Sequence, residues 1–175
     1  MLLVRNGRAA NDPIADIRAK PHRRLMISSK LAQTLRMLAD ATSVAEGQWW
    51  VIGSAAVALH GGHVTDVRDV DLLMSETDAQ AFLQKVGASW RKGEPSERFY
   101  SPVFGIWDEP PMSIEAFGGF RLATEDSWRK VTFATHQAIN VAGCTVFVPS
   151  KTELRALLYS MGRPKDFRRA ELLGA

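Results

Sequence analysis

The sequence predicts an α/β (α+β) fold, one mixed β-sheet flanked by helices, with N- and C-terminal helices added. Three observations carry this. Short apolar strands, "WWVI" (49–52), "MSIEAF" (112–117) and "CTVFVP" (144–149), alternate with segments of helical spacing. Serines stand where helix N-caps belong, at Ser28 or Ser29, Ser75 and Ser150. Glycines stand where helices end, at Gly47, Gly61-Gly62 and Gly87.

Pro13 and Pro21 punctuate an N-terminal region that holds a short helix at about Ile14 to Lys20. A longer helix follows, with Leu31, Leu35 and Leu38 on one face, Ala32, Ala39 and Ala45 filling in, and Gly47 stopping it. After the strand at 49–52, Gly53 turns the chain, Ser54 takes the N-cap position, and Ala55 to His60 form a short apolar helix. "RDVDLLMS" (68–75) reads as a strand, and Ser75 or Thr77 caps a helix from Asp78 to Val86. "RFYSPVFGIW" (98–107) and "MSIEAF" read as strands joined by a turn at 108–111. Beyond the strand at 144–149, Ser150 and Glu153 form a capping box for an amphipathic helix. Pro164 breaks that pattern, and a last helix runs from about Lys165 to Leu173. The expected organisation is a helical segment over 1–48, a core over 49–149, and a helical segment over 150–175 in the same compact unit.

Composition narrows the class. The 175 residues are 46% hydrophobic and 23% charged, enough for one buried core. No run reaches the roughly 18 apolar residues of a membrane span, and "MLLVRNGRAANDP" lacks a signal-peptide core. With one cysteine, Cys144, there is no internal disulfide, so a cytoplasmic protein with no membrane partner is expected. A net charge of +3 suits an anionic ligand without requiring one. The basic runs Arg18 to Arg24 and Gly162 to Arg169 read as solvated helix faces, and Trp49, Trp50, Trp90, Trp107 and Trp128 read as core. His60 and His63 have no Cys, Asp or Glu at zinc-ligand spacing.

Asp69 and Asp71 are the unusual pair. Residues two apart on a strand share a face, about 7 Å from each other, while Val70, Leu72 and Met74 line the opposite one. Two carboxylates there repel unless a basic side chain, a shared proton or a divalent metal lies between them. Spacing leaves two readings: exposed residues paired with Arg68 or a lysine, or oxygen ligands for Mg²⁺ completed by Glu115 from a neighbouring strand. Gly53-Ser54, at the end of a strand and the start of a helix, offers a hydroxyl and unpaired N–H groups to a phosphate.

Together, Gly53-Ser54, the small apolar helix and Asp69-Val70-Asp71 resemble the signature of the DNA polymerase β nucleotidyltransferase superfamily. "EAFGGF" (115–120) is similar to that group's third-carboxylate strand. "LLYSMGRPKDFRRAELL" (157–173) resembles the Arg-Pro-Lys-Asp helix that ends many small bacterial members, abortive-infection-type toxins among them. The resemblance covers Gly53 to Leu173 and implies the polymerase β-like fold. It implies Mg²⁺, or Mn²⁺, held by Asp69 and Asp71, with Glu115 as a further ligand, as the base, or both. Glu115 departs from the aspartate that many members carry at this position. Gly53 and Ser54 would contact the β- and γ-phosphates of a nucleoside triphosphate, with Arg68, Lys151, Arg163 and above all Lys165 steadying them. For Lys165 a salt bridge to Asp166 is the other reading.

The implied activity is transfer of a nucleoside monophosphate to a hydroxyl on a small molecule, a tRNA end or a protein, with release of pyrophosphate. The alternative is a non-catalytic or weakly active nucleotide-binding member acting as a toxin–antitoxin or regulatory partner. The apolar stretch from Leu25 to Leu38 could cover its own core or dock on a second copy in a homo-oligomer.

Overall fold

In the computed structural model, which describes residues 27–174, the apolar runs become strands and the capped runs become helices. The order is α1 (Ser29–Ala41), a 3-10 turn (Thr42–Val44), β1 (Trp50–Ile52), α2 (Gly53–Leu59), β2 (Val70–Met74) and α3 (Glu76–Lys85). Then come β3 (Trp90–Arg91), β4 (Phe99–Tyr100), β5 (Val103–Trp107), β6 (Ile114–Gly118), β7 (Arg121–Ala123) and β8 (Trp128–Lys130). The chain closes with β9 (Gln137–Val141), β10 (Cys144–Val148), α4 (Lys151–Met161) and α5 (Pro164–Glu171).

The central sheet has the order β1-β2-β6-β5-β3. Its β2–β6 pair is parallel and its other pairs are antiparallel. The expected single sheet is therefore one of three: β9 with β10, and β4 with β7 and β8, form small antiparallel sheets of their own. The run 98–107 splits between two sheets at Ser101-Pro102, since proline has no N–H to give a ladder. There the buried Ser101 hydroxyl lies 2.8 Å from the Val103 carbonyl and 2.9 Å from that of Gly118.

One face of the central sheet is core. Val70, Leu72, Val103, Ile114 and Ala116 are buried on it. Helix α3 lies close against this face because Gly118 leaves room: a Cβ there would meet the Ala79 methyl at 2.7 Å. Helix α1 adds Leu31, Leu35 and Leu38 to the chain's own core. Trp49 and Trp107 are buried as expected, but Trp90 sits on an edge strand and is 48% exposed.

Three helix starts follow the sequence. Ser28, Ser75 and Ser150 each accept a backbone N–H three residues on, at 3.1, 3.0 and 3.3 Å. Other expectations need correction. Helix α1 stops at Ala41, not Gly47: the Thr42 hydroxyl bonds back to the Ala39 carbonyl and the chain tightens into the 3-10 turn. Ser54 does not cap α2, because the helix already begins at Gly53 and Ser54 lies in its first turn. Pro164 starts α5 rather than merely breaking the pattern before it, a position where its missing N–H costs nothing. The helix expected at Ile14 to Lys20 and the basic run Arg18 to Arg24 lie outside the described residues. Among the described residues no helix is long and apolar enough to cross a membrane.

Glu153 does not close its capping box on the Ser150 N–H, which instead donates to the Thr135 hydroxyl at 2.7 Å. Its carboxylate reaches across the chain. It accepts from the Ala134 N–H at 2.6 Å, the Thr135 N–H at 3.2 Å, the Ser150 hydroxyl at 3.1 Å, and the Thr135 hydroxyl as well. Burial opposes its ionisation, but hydrogen bonds from Thr135, Ala134 and Ser150 outweigh it and hold the pKa below the ordinary glutamate value. A depressed folded pKa gives stability that is present above the unfolded value and lost as pH falls. Glu153→Ala should therefore lower the unfolding free energy in urea by about 1–3 kcal/mol at pH 7. The gap to the unsubstituted chain should narrow as the pH is taken below 4.

Candidate active site

Strand register builds the site. Asp71 pairs with Glu115 across the parallel β2–β6 ladder, and Glu115 pairs with Ile106 on β5. One step along, Leu73, Phe117 and Phe104 form the next row on the same, open face. Asp69 precedes β2 rather than lying within it, as Arg68 does, so the strand is shorter than the run 68–75. A cavity of about 900 Å³ opens over this face, and Asp69, Asp71 and Glu115 all line it.

Asp71 is the most strained of the three. Burial at the cavity floor, then the charges of Asp69 and Glu115, push its carboxyl up to about 7 against the pull of Arg169 and Arg163. Burial and Asp69 also raise Glu115, with Lys165 pulling it back and Asp108 adding to the rise. Among the described residues, no lysine or arginine makes an ion pair with any of these carboxylates. Arg68 in particular turns to Asp66, at 2.5 Å, in a pair open to solvent and worth little.

Gly53 sits directly under Asp71. Its φ is +64°, and a Cβ there would fall 2.0 Å from the Asp71 Oδ2, so only glycine fits. Ser54 is buried, 1% exposed, and its hydroxyl has no hydrogen-bond partner. Neither residue is part of the cavity wall as it stands.

The opposite wall comes from α5 and the residue before it. Arg163, Lys165, Arg168 and Arg169 all line the cavity. Asp166, fully buried, organises two of them: it takes Arg163 through two contacts of 2.6 and 3.0 Å and lies 3.9 Å from Arg169. Asp166 thus pairs with arginines and not with Lys165. Lys151 belongs elsewhere, beside Arg155 and Tyr159 on a separate surface hollow. His63 lines the main cavity, while the His60 Nε2 lies 2.8 Å from the Pro149 carbonyl.

Sequence reasoning passed over Arg169, Asp166 as its anchor, and the aromatic end of the cavity, Phe99, Phe117 and Phe120. Two signals were available: Arg169 stands three residues after Asp166 on a helix, and Phe117 two after Glu115 on a strand. As to metal, the donor chemistry fits: three hard carboxylates repel one another in one cavity, which a divalent cation would relieve. They are not gathered into a ready-made cage, since among the described residues no three acidic, imidazole or thiol groups are close enough to hold an ion as they stand.

No family model and no curated protein matches this chain. Solved structures do match in shape. A Thermotoga maritima protein provisionally classed as a nucleotidyltransferase is 24% identical, with a TM-score of 0.68 over 79% of this chain and 89% of that one. The lincosamide antibiotic adenylyltransferase LnuA, in its lincomycin-bound form, is 17% identical, with a TM-score of 0.54 over 84% and 96%. The antibiotic-resistance factor ANT(2'')-Ia is 12% identical, with a TM-score of 0.54 over 84% of each chain. These likenesses establish the nucleotidyltransferase fold, the one that Gly-Ser and Asp-x-Asp resemble in sequence.

The raised Asp71 pKa has a stability consequence. A carboxyl whose folded pKa lies above its unfolded value disfavours folding as pH rises through the interval between them, here from about 4 to about 7. The full penalty is on the order of 4 kcal/mol. Asp71→Asn should therefore raise the melting temperature in metal-free buffer at pH 8, and the gain should shrink steadily towards pH 4. A gain independent of pH would remove the charge explanation.

Proposed function

We propose that this chain transfers a nucleoside monophosphate from a nucleoside triphosphate to the hydroxyl of a small-molecule acceptor. The observation that carries the proposal is the registered pair Asp71 and Glu115, with Asp69 beside them, facing Lys165, Arg163 and Arg169 across one cavity. Negative and positive walls of one cavity suit a polyanion bridged to carboxylates by cations.

In the transfer, the acceptor oxygen forms a bond to the α-phosphorus. The bond from that phosphorus to the bridging oxygen breaks, and pyrophosphate leaves. The acceptor's proton passes to Glu115. Burial and the Asp69 charge hold its carboxyl above the ordinary glutamate value, so that it binds a proton more readily than a free carboxylate. Divalent cations held by Asp69, Asp71 and Glu115 would supply charge stabilisation to the entering and leaving oxygens. Lys165, with Arg163 and Arg169 locked by Asp166, meets the phosphates as pre-oriented cations. Gly53-Ser54 lies beneath Asp71, and the unpartnered Ser54 hydroxyl is the donor that would meet the far end of the triphosphate once the turn opens to the cavity.

Glu115 lines the cavity instead of turning from it, which favours turnover over bare nucleotide binding. LnuA, similar in shape, is an adenylyltransferase for a lincosamide antibiotic, which supports a small acceptor over a tRNA end or a protein.

The double substitution Asp69→Asn with Asp71→Asn should abolish Mg²⁺-dependent binding of nucleoside triphosphate in calorimetric titration, with the circular dichroism spectrum unchanged. Retained Mg²⁺–nucleotide affinity would sink the proposal. Lys165→Met should weaken triphosphate binding about 10-fold or more, since a charge-assisted phosphate contact is lost. It should leave nucleoside binding untouched.

A further inference from the structure

Four phenylalanine rings form an unbroken line beside the carboxylates. Phe104 and Phe117 are cross-strand partners with ring centroids 5.1 Å apart. Phe117 meets Phe120 at 5.5 Å, and Phe120 stacks on Phe99 at 5.9 Å. A guanidinium closes each end: Arg91 lies over Phe104 at 5.3 Å and Arg163 over Phe99 at 4.9 Å. Phe99, Phe104 and Phe117 are only half-buried.

This rail is a wall shared by two spaces. Phe99, Phe117 and Phe120 line both the carboxylate cavity and an adjoining side pocket of about 210 Å³, whose floor also takes in Phe104. Phe117 stands two residues beyond Glu115 on β6, so its side chain emerges about 7 Å further along the same face. A molecule stacked on Phe117 therefore has its edge within reach of the group assigned to take the acceptor's proton. The volume is below the roughly 300–1,000 Å³ of a site that encloses a whole drug-sized ligand, so the side pocket suits one ring-sized part. Its charges are Arg91 and Glu94, with Arg163 at the far end of the rail, a balance that gives a polycation no anchor.

We propose that the rail and side pocket form the acceptor subsite, and that the acceptor is a small hydroxylated molecule with an aromatic ring and no multiple positive charge. The ring stacks on Phe117 and Phe104, and the hydroxyl points to Glu115. This rests on the nucleotidyl-transfer reading for the word acceptor, while the ring site itself rests on the phenylalanines alone.

The test uses the full chain and 4-hydroxybenzyl alcohol as an uncharged single-ring probe, with kanamycin as the polycation. Binding is followed by saturation-transfer NMR with and without Mg²⁺–ATP. The probe's ring protons should saturate, ATP should not displace it, and Phe117→Leu or Phe104→Leu should weaken it about 3- to 10-fold, with the ATP affinity unchanged in Phe104→Leu, a residue outside the carboxylate cavity. The leucine variants keep an apolar side chain, and a thermal melt checks that they fold. Kanamycin binding in preference to the probe, displacement of the probe by ATP, or probe affinity indifferent to both substitutions would each overturn the subsite. Probe binding that follows the phenylalanines in a chain unable to bind Mg²⁺–ATP would uphold the ring site and overturn its role in nucleotidyl transfer.

Discussion

Asp71 and Glu115 stand directly opposite each other on parallel strands, with no basic side chain paired to either among the described residues. Like charges in that register destabilise a sheet. Much of the surrounding structure reads as accommodation of this pair. The hydrophobic rows of β2 and β6 fix the register from behind, because a one-residue slip would bury both carboxylates and expose Val70, Leu72, Ile114 and Ala116. Gly53 gives up its side chain so that Asp71 can lie flat against the β1–α2 turn. Helix α5 brings its cations to the far wall, near enough to pull on Asp71 and Glu115 yet not to neutralise them. The fold thus carries an unfavourable charge arrangement, and the apolar face under α3 offsets it.

That division explains what the sequence revealed. Period two on a strand was enough to set Asp71 on one face and Glu115 mid-strand among apolar neighbours, whereas Asp69 lies just before β2 and Lys165 stood out only through the resemblance of the tail. The core helices were legible through Leu31, Leu35, Leu38 and their serine caps. What escaped depends on long-range partners. Nothing near Glu153 announces that its carboxylate will hold Thr135, eighteen residues back, rather than its own cap. The strands β3, β7 and β8 are two or three residues long, too short to carry an apolar alternation to detect. The phenylalanine rail joins β4, β5, β6 and the turn after β6, and no single element's periodicity contains it.

Ser54 shows the limit of motif reading from the other side. A serine after a strand-ending glycine is most simply a helix cap, and the spacing supports that as well as it supports phosphate binding. Here it does neither as it stands: α2 begins one residue early, and the hydroxyl is buried without a partner. A buried unsatisfied hydroxyl costs about 1–3 kcal/mol, and packing alone would favour alanine.

Arg163 connects the two chemistries of the cavity. Asp166 grips its guanidinium edge-on, which leaves the flat face for the Phe99 ring. An arginine held this way cannot swing freely, so its charge stays aimed across the cavity while its plane extends the aromatic line. Lysine could meet Asp166 but could not present a face to Phe99. The end of α5 therefore does more than add positive charge: through one buried carboxylate it ties the position of a cavity-facing cation to the phenylalanine wall. An anion seated on that cation and a ring seated on that wall would both draw on the Asp166–Arg163 contact, which is the physical link between the two walls.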